Sequence, residues 1–291
     1  MIEQHKASEL ILNPDGSIYH LHLLADDVSD TIITVGDPDR VTMVSRYFDS
    51  IEIKKQKREF VTHTGYIGKK RVTVISTGIG TDNIDIAFNE LHLLKNYDFS
   101  ENKFKAAPVS LNIIRIGTSG CIQEDIPVDA FLASSFGVGI DNVMHFYIFE
   151  NSKEEEEILT RFKLHCYFHH TIHPYVFKGD ANLHAKFEKE FYSGITLTAP
   201  GFYAPQGRKV SLPVSQEKFY EDIKSFKLAQ HRITNIEMET AAMYGFSKLL
   251  GHQCLSLNVL LANRARGEFS KDPDKAVDGL IRKSLEVIET I

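Results

Sequence analysis

Short, nearly continuous apolar segments rich in β-branched residues recur along the chain. They predict strands over residues 31–35, 72–77, 111–116, 130–133, 195–198 and 254–261. Strands with this composition are covered on both faces, which is typical of a mainly parallel sheet flanked by helices. The pattern therefore predicts an α/β fold.

Other segments repeat apolar residues at the spacing of a helix. One stripe consists of Ile84, Ala87, Phe88, Leu91 and Leu94. A second helix is predicted from Glu237 onward, with Gly251 placed to end it, and a third over residues 274–288. Because no repeat and no linker divides the chain, residues 1–291 are predicted to form a single domain. Its central sheet is expected to be mixed but mostly parallel, flanked by helices in a three-layer α/β/α arrangement.

Composition and charge narrow the classes of function. The 291 residues include 33 Lys+Arg and 39 Asp+Glu, a formal charge of −6. A nucleic-acid partner is not expected, because phosphate neutralisation needs a basic face, whereas a small anion needs only a few placed arginines. Neither the opening MIEQHKASEL nor any later segment has the apolar length of a signal-peptide core or a membrane span. The three cysteines lack metal-ligand spacing and predict free thiols, so a cytoplasmic location is expected.

A histidine-rich segment spans residues 165–184. Its His165 and His169 are four residues apart, a spacing that a metal ion can use on a helix. No acidic or cysteine partner stands at a familiar spacing from them. We therefore expect no metal site there, and the role of the segment stays open.

Glycine and polar residues follow several predicted strands, where open α/β sheets bind ligands. The motif Gly36-Asp-Pro-Asp-Arg40 combines a glycine N–H with an arginine, which suits an anion, although ordinary solvated turns share this composition. Arg115 lies inside an apolar run and must pair with an anion or a carboxylate. Thr118 would add a hydroxyl donor to the same anion. No GxxxxGK[ST] motif is present, so nucleoside triphosphate binding is not indicated.

Two further groups of polar residues suit a sugar and a planar heterocycle. Glu239 can accept hydrogen bonds from vicinal hydroxyls while Met238 packs on a sugar face, although acids in a first helical turn are often only partners of the helix dipole. Gln206 and Arg208 lie two residues apart in a turn-rich segment. They can present an amide and a guanidinium to the edge of a flat ring.

Taken in order, these motifs resemble the nucleoside phosphorylase superfamily, most closely its uridine phosphorylases. The matching stretches are Gly36-Asp-Pro-Asp-Arg40, Arg58-Glu-Phe60, Ser76-Thr-Gly-Ile-Gly80, Arg115-Ile-Gly-Thr-Ser-Gly120, Gln206-x-Arg208, Glu237-Met-Glu239 and Asn263-Arg264. The resemblance implies reversible phosphorolysis of uridine to uracil and ribose 1-phosphate. Inorganic phosphate is then a co-substrate, and no cofactor is expected.

The resemblance also implies roles for individual residues. Phosphate would be bound by Gly36, Arg40, Arg115, Thr118 and an Arg58 lent across a dimer interface. Ribose would be bound by Met238, Glu239 and a His20 from the neighbouring subunit, and the base by Phe202, Gln206, Arg208 and Arg264. The residues expected to contribute to catalysis are Arg115, Gln206, Arg208 and Glu239. Glu59 corresponds to a residue that binds potassium at the dimer interface in some members. A homodimer or a hexamer with shared active sites is expected.

Three alternatives remain open. Purine nucleoside phosphorylases place an aspartate near the end of the last strand, where this chain reads Ala262-Asn263-Arg264, so a pyrimidine base is favoured. A nucleoside hydrolase would not need Arg40, Arg58 and Arg115 together. A non-catalytic nucleoside-binding protein is disfavoured because both the phosphate and the ribose residues are present. The sequence does not choose between ribose and 2′-deoxyribose, or between dimer and hexamer.

Overall fold

The computed structural model describes residues 6–291. Residues 1–5, part of the opening segment used for the expected location, lie outside them. The strands are β1 Thr31–Val35, β2 Ser50–Lys57, β3 Phe60–Ile67, β4 Lys70–Ser76, β5 Tyr97–Asp98, β6 Lys103–Phe104, β7 Asn112–Cys121, β8 Phe131–Gly139, β9 Tyr175–Lys178, β10 Tyr192–Thr198, β11 Lys227–Leu228, β12 His231–Glu237, β13 Gln253–Asn263 and β14 Glu268–Phe269. The α-helices are α1 Pro38–Ser45, α2 Thr81–Asn96, α3 Lys153–His165, α4 Ala181–Ala185, α5 Phe219–Ser225, α6 Thr240–Leu250 and α7 Pro273–Ile288.

One mixed sheet runs through the molecule in the order β11-β12-β10-β8-β13-β7-β1-β4-β3-β2. Strands β4, β1, β7 and β13 are parallel neighbours, and so are β8, β10 and β12. These two parallel groups meet where β8 and β13 pair antiparallel. Strands β2 and β3 extend the sheet as an antiparallel hairpin beside β4.

The sheet closes on itself at the end of β7. Strand β12 pairs antiparallel with β7, with Asn235 opposite Cys121 and Ile236 opposite Gly120. This pairing joins β12, β10, β8, β13 and β7 into a ring. It also brings the last residues of β12 next to the last residues of β7, so that polar groups from distant parts of the chain meet there.

Helices cover both faces of the central strands. Successive strand residues point to opposite faces, so Ile32 of β1 joins a core with α2 and α6 while Ile33 joins a core with α1 and α7. A third core lies under α3 and α5, against β8, β10 and β12. No helix within residues 6–291 is long and apolar enough to cross a lipid bilayer.

The predicted elements are present, with two differences at the site. The strand predicted over residues 111–116 extends further, as β7, through Gly117 and Gly120, because β13 pairs with it along that whole length. The helix expected from Glu237 begins at Thr240 instead. Glu237 ends β12, and its carboxylate accepts the backbone N–H groups of Glu239 and Thr240 at the start of α6.

Eight strands within residues 6–291 were not predicted, and four of them (β5, β6, β11 and β14) have only two residues each. Strand β2 lies at the edge of the sheet, and its alternating pattern is carried by charged residues as well as by isoleucines. Strands β3, β9 and β12 mix polar with apolar residues. Gly251, by contrast, ends α6 as predicted, in the left-handed conformation that glycine adopts without strain (φ 75°).

Candidate active site

A cavity of about 780 Å³ opens where β1, β4, β7 and β12 end. Nine predicted site residues line it: Gly36, Arg40, Arg115, Thr118, Phe202, Gln206, Arg208, Met238 and Glu239. These nine residues come from four segments that are far apart in the sequence and adjacent in the fold. This size fits a small-molecule ligand.

Arg115 is the buried arginine at the centre of the cavity wall, with 6% of its surface exposed. Its guanidinium bends forward along β7 over Gly117, where a Cβ atom would lie only 1.8 Å from Nη1. The Nη1 group donates to Asn258 Oδ1 at 2.9 Å, and Nη2 donates to Glu239 Oε2 at 2.6 Å. Glycine at position 117 therefore allows this arrangement.

Two buried carboxylates hold the charge on Arg115. Burial acts to lower the pKa of Arg115, but Glu239 and Glu237 oppose it and raise that pKa overall. Nη2 lies 3.4 Å from Glu237 Oε2. Glu239 also accepts the backbone N–H of Gly80 at 2.9 Å, so its carboxylate is fixed between β7 and the turn before α2.

Arg40 lies in the first turn of α1, which Asp37 caps by accepting the N–H of Asp39 at 2.9 Å. Within residues 6–291 its guanidinium has no hydrogen bond or ion pair, although the residue is half-buried. Burial, followed by the positive charge of Arg115, lowers the pKa of Arg40. An anion placed near both guanidinium groups would stabilise them, and Thr118 lies on the same wall.

A second polar group is formed around Gln206, which is 3% exposed. Arg208 Nη1 donates to Gln206 Oε1 at 2.5 Å and to the backbone oxygen of Phe202 at 2.6 Å. The Arg208 guanidinium stacks 3.8 Å from the centre of the Phe202 ring. Burial, and then the charge of Arg264, lowers the pKa of Arg208 to about 10, so this residue stays charged at neutral pH.

Apolar residues line the rest of the cavity. Ile236, Leu261 and Phe269 join Met238 on this wall. None of the first three was singled out from the sequence, because apolar residues in strands look like ordinary core. An apolar wall beside a few placed donors is the usual composition of a pocket for a planar organic ligand.

Three predicted residues do not line the cavity of their own chain. Arg264 donates from Nη1 to the backbone oxygen of Gln206 at 2.6 Å, and its guanidinium lies 4.3 Å from the centre of the Tyr220 ring. His20 pairs with Glu90, with Nδ1 and Oε1 2.6 Å apart. The Arg58 guanidinium lies 5.9 Å from the centre of the Tyr19 ring.

Within residues 6–291, no group of three or more His, Cys, Asp or Glu side chains is placed to hold a metal ion, and this includes the histidine-rich segment. Glu59 lines the cavity. The three cysteines are free and buried.

A family model described as the phosphorylase superfamily matches residues 30–291. The chain belongs to the phosphorylase superfamily. This finding confirms the resemblance and the α/β fold expected from the sequence, and it identifies the protein as an enzyme of the pentosyltransferase type.

Members of the superfamily from several organisms are similar to this chain. A uridine phosphorylase from Thermococcus kodakarensis is 24% identical over 99% of this chain and 92% of its own length. A purine nucleoside phosphorylase of the DeoD type from Bacillus velezensis is 25% identical over 86% of this chain and 89% of its own. A solved Trypanosoma brucei nucleoside phosphorylase, described as showing uridine phosphorylase activity, has a TM-score of 0.90 and 31% identity, covering 97% of this chain and 100% of its own.

Proposed function

We propose that the protein is a uridine phosphorylase, which converts uridine and inorganic phosphate reversibly into uracil and ribose 1-phosphate. One observation carries the proposal: a single cavity holds the buried Arg115 with its carboxylate partners and also the Gln206–Arg208 pair. The first group suits an anion beside a sugar, and the second suits the polar edge of a base. The similarity to a protein named uridine phosphorylase, and to a nucleoside phosphorylase described as showing uridine phosphorylase activity, supports the same assignment.

Phosphate would bind to Gly36, Arg40, Arg115 and Thr118. An oxygen of the dianion forms a bond to the anomeric carbon as the bond from that carbon to uracil N1 breaks. The electron pair leaves with uracil, and N1 of the base takes up the proton that the attacking monohydrogen phosphate dianion gives up. Since phosphate is the nucleophile, the protein needs no nucleophilic side chain, and its contribution is to position the reactants.

The ribose and base would lie against the other residues of the cavity. Glu239 accepts from ribose hydroxyls while Met238 packs on the sugar. The Gln206 amide is oriented by Arg208 and reads the uracil edge, and the Arg208 charge stabilises the negative charge that develops on the leaving base. Because Arg208 covers one face of the Phe202 ring, the opposite face is the one available to uracil.

The geometry near the end of β13 favours a pyrimidine over a purine. Purine enzymes would need an acid at this place to protonate the base. Here Asn263 donates to the backbone oxygens of Gln123 and Ile126 at 2.9 and 2.8 Å and accepts from Arg266 N–H at 3.0 Å. Its amide is therefore fully used by the surrounding backbone, and Ala262 occupies the cavity wall.

We also propose that the working unit is a homodimer, alone or within a hexamer, with active sites shared between subunits. Arg58 and His20 both contact Tyr19, the latter with ring centres 4.8 Å apart, so the two residues lie near each other outside their own cavity. From there they would reach the phosphate and ribose of the neighbouring subunit. We propose further that Glu59 holds potassium at this interface. A cytoplasmic location of the protein is a separate proposal.

The test is product formation from uridine and, in parallel, from inosine, each with and without inorganic phosphate. We expect uracil and ribose 1-phosphate from uridine only when phosphate is present. Cleavage without phosphate would make the protein a hydrolase, and cleavage of inosine alone would make it a purine enzyme. Binding of uridine without any cleavage would contradict an enzymatic role.

A further inference from the structure

Asn258 is a completely buried amide in the middle of β13, with apolar Leu257 and Val259 on either side. A buried amide is costly unless it forms hydrogen bonds. Its Oδ1 accepts from Nη1 of Arg115 at 2.9 Å, the shorter of the two side-chain hydrogen bonds that it makes within residues 6–291. The amide of Asn258 is therefore a direct hydrogen-bond partner of the buried arginine in the candidate active site.

Hydrogen bonds on its other side fix which way this amide points. Asn258 Nδ2 donates to Ser256 Oγ at 3.3 Å, and Ser256 Oγ lies 2.7 Å from Thr240 Oγ1 at the start of α6. A guanidinium group has donors and no acceptor. The amide oxygen must therefore face Arg115, and the polar chain from Thr240 keeps it there.

The register of the two strands shows what Asn258 does to the arginine. Arg115 is paired with Ser256, whereas Asn258 is paired with Gly117, two residues further along β7. The guanidinium therefore reaches forward, across the space left by the missing Cβ of Gly117, to meet the amide. Asn258 holds it towards the end of the strand, where the cavity opens.

The neutrality of the amide matters as much as its position. Arg115 already faces two carboxylates, those of Glu239 at 2.6 Å and Glu237 at 3.4 Å. A third carboxylate at position 258 would leave an excess of negative charge around the guanidinium, and this charge would repel an anion that enters the cavity. Asparagine supplies a hydrogen-bond acceptor without adding that charge.

We propose that Asn258 is a positioning residue that holds the Arg115 guanidinium for the phosphate dianion and, because it is uncharged, preserves the affinity of the site for that anion. This inference rests on the proposed function in one respect, the identity of the anion. It concerns binding of inorganic phosphate and therefore does not need turnover to be tested.

The experiment is calorimetric titration of inorganic phosphate into nucleoside-free wild type, Asn258→Ala and Asn258→Asp. We expect about tenfold weaker binding in Asn258→Ala, because a hydrogen bond to a charged group is lost. Asn258→Asp keeps the shape and the contact with Arg115, and we expect it to weaken binding further. In steady-state assays the KM for phosphate rises in the same order while the KM for uridine stays within about twofold.

Asn96→Ala is the matched control. Asn96 is also a buried amide, but it bonds to the backbone of Val109 next to α2 and does not contact Arg115. We expect unchanged phosphate affinity in this variant. If Asn258→Ala fails to fold by circular dichroism, the isosteric Asn258→Asp decides the question.

Wild-type phosphate affinity in the folded Asn258 variants would overturn the proposal, and so would an equal rise of both KM values. Absence of phosphate binding by the wild type would also overturn it. The proposed function fails differently: a wild type that binds phosphate but never cleaves uridine contradicts the function, while the comparison of phosphate binding among the variants still stands.

Discussion

At the scale of single residues, a polar side chain inside an apolar segment is the clearest indication of the active site in the sequence. The position of Arg115 in an apolar run predicts that it pairs with an anion or a carboxylate. In the structure it pairs with the carboxylates of Glu239 and Glu237. Asn258 gives the same kind of signal, but an amide costs less to bury than a guanidinium and therefore indicates a site less sharply. Arg264 shows the limit of this reasoning, because its hydrogen bond to the backbone oxygen of Gln206 depends on how the loop around Gln206 folds.

The role of Gln206 can be tested by a substitution that leaves the phosphate residues intact. In Gln206→Ala, uracil loses an amide partner and Arg208 loses the carbonyl that orients it. We expect kcat/KM for uridine to fall about 10- to 100-fold, the value of one or two hydrogen bonds involving charge. Initial rates at varied uridine and phosphate measure both effects, and the KM for phosphate should change by less than about twofold.

Gln123→Ala is the control for this substitution. Gln123 is a buried glutamine that donates to the backbone oxygens of Lys224 and Ile233, away from the cavity wall. Its loss should lower stability without changing the balance between the two substrates. An equal loss of affinity for uridine and phosphate in Gln206→Ala would contradict a base-reading role.

Elements with one clear apolar stripe are predictable, and elements stabilised by a distant partner are less so. Helices α2 and α7 follow from periodicity alone. The continuation of β7 through Gly117 does not, because glycine has a low strand propensity and the compensating hydrogen bonds come from β13, more than a hundred residues later. Strand β12 carries polar residues between its isoleucines, and its last residue, Glu237, belongs to the site.

The buried His252 and the half-buried His92 link three of these elements. His252, just before β13, accepts the N–H of Leu111 with Nδ1 at 3.2 Å, and its Nε2 lies 3.1 Å from Nδ1 of His92 on α2. Burial, and then the charge of His92, lowers the pKa of His252 to about 4. The neutral form is therefore the one that holds the starts of β7 and β13 together.

Stability should therefore fall as the solution becomes acidic. Below the ordinary pKa of about 6.5 the unfolded chain takes up a proton at His252 that the folded protein does not, so the free energy of unfolding decreases down to about pH 4. We expect a loss of about 2 kcal/mol from this residue at pH 5. Urea denaturation at pH 7.5 and 5 measures it. A slope as steep in His252→Gln as in the wild type would assign the effect to other groups.

The whole molecule brings together segments whose motifs are individually weak. Closure of β12 onto β7 places residues 115–120 beside residues 237–239, a contact that no local pattern indicates. This contact is predicted instead by the order of the motifs, because proteins that share that order share a fold in which the motifs meet. Local sequence patterns do not indicate how the subunits are arranged. The extent of the single domain over residues 1–291 stays a prediction.

Sharing of active sites between subunits can be tested by mixing two inactive variants. Arg58→Ala removes the arginine that we expect to act on the neighbouring site, and Arg115→Ala removes one that lines its own cavity. Each variant alone should be nearly inactive. In a mixed dimer, the subunit that retains Arg115 receives Arg58 from its partner, so one of the two sites is complete.

Equal amounts of the two variants, dissociated and reassociated at random, form mixed dimers in half of the cases. Recovered uridine phosphorolysis should then approach about a quarter of the wild-type rate, whether the dimer stands alone or within a hexamer. Mixing without prior dissociation is the control and should stay inactive. If Arg58 acted within its own chain, each site of a mixed dimer would lack one arginine, and reassociation would restore nothing. Persistent inactivity of demonstrably mixed dimers would therefore place Arg58 in its own subunit's site and remove the reason for a shared one.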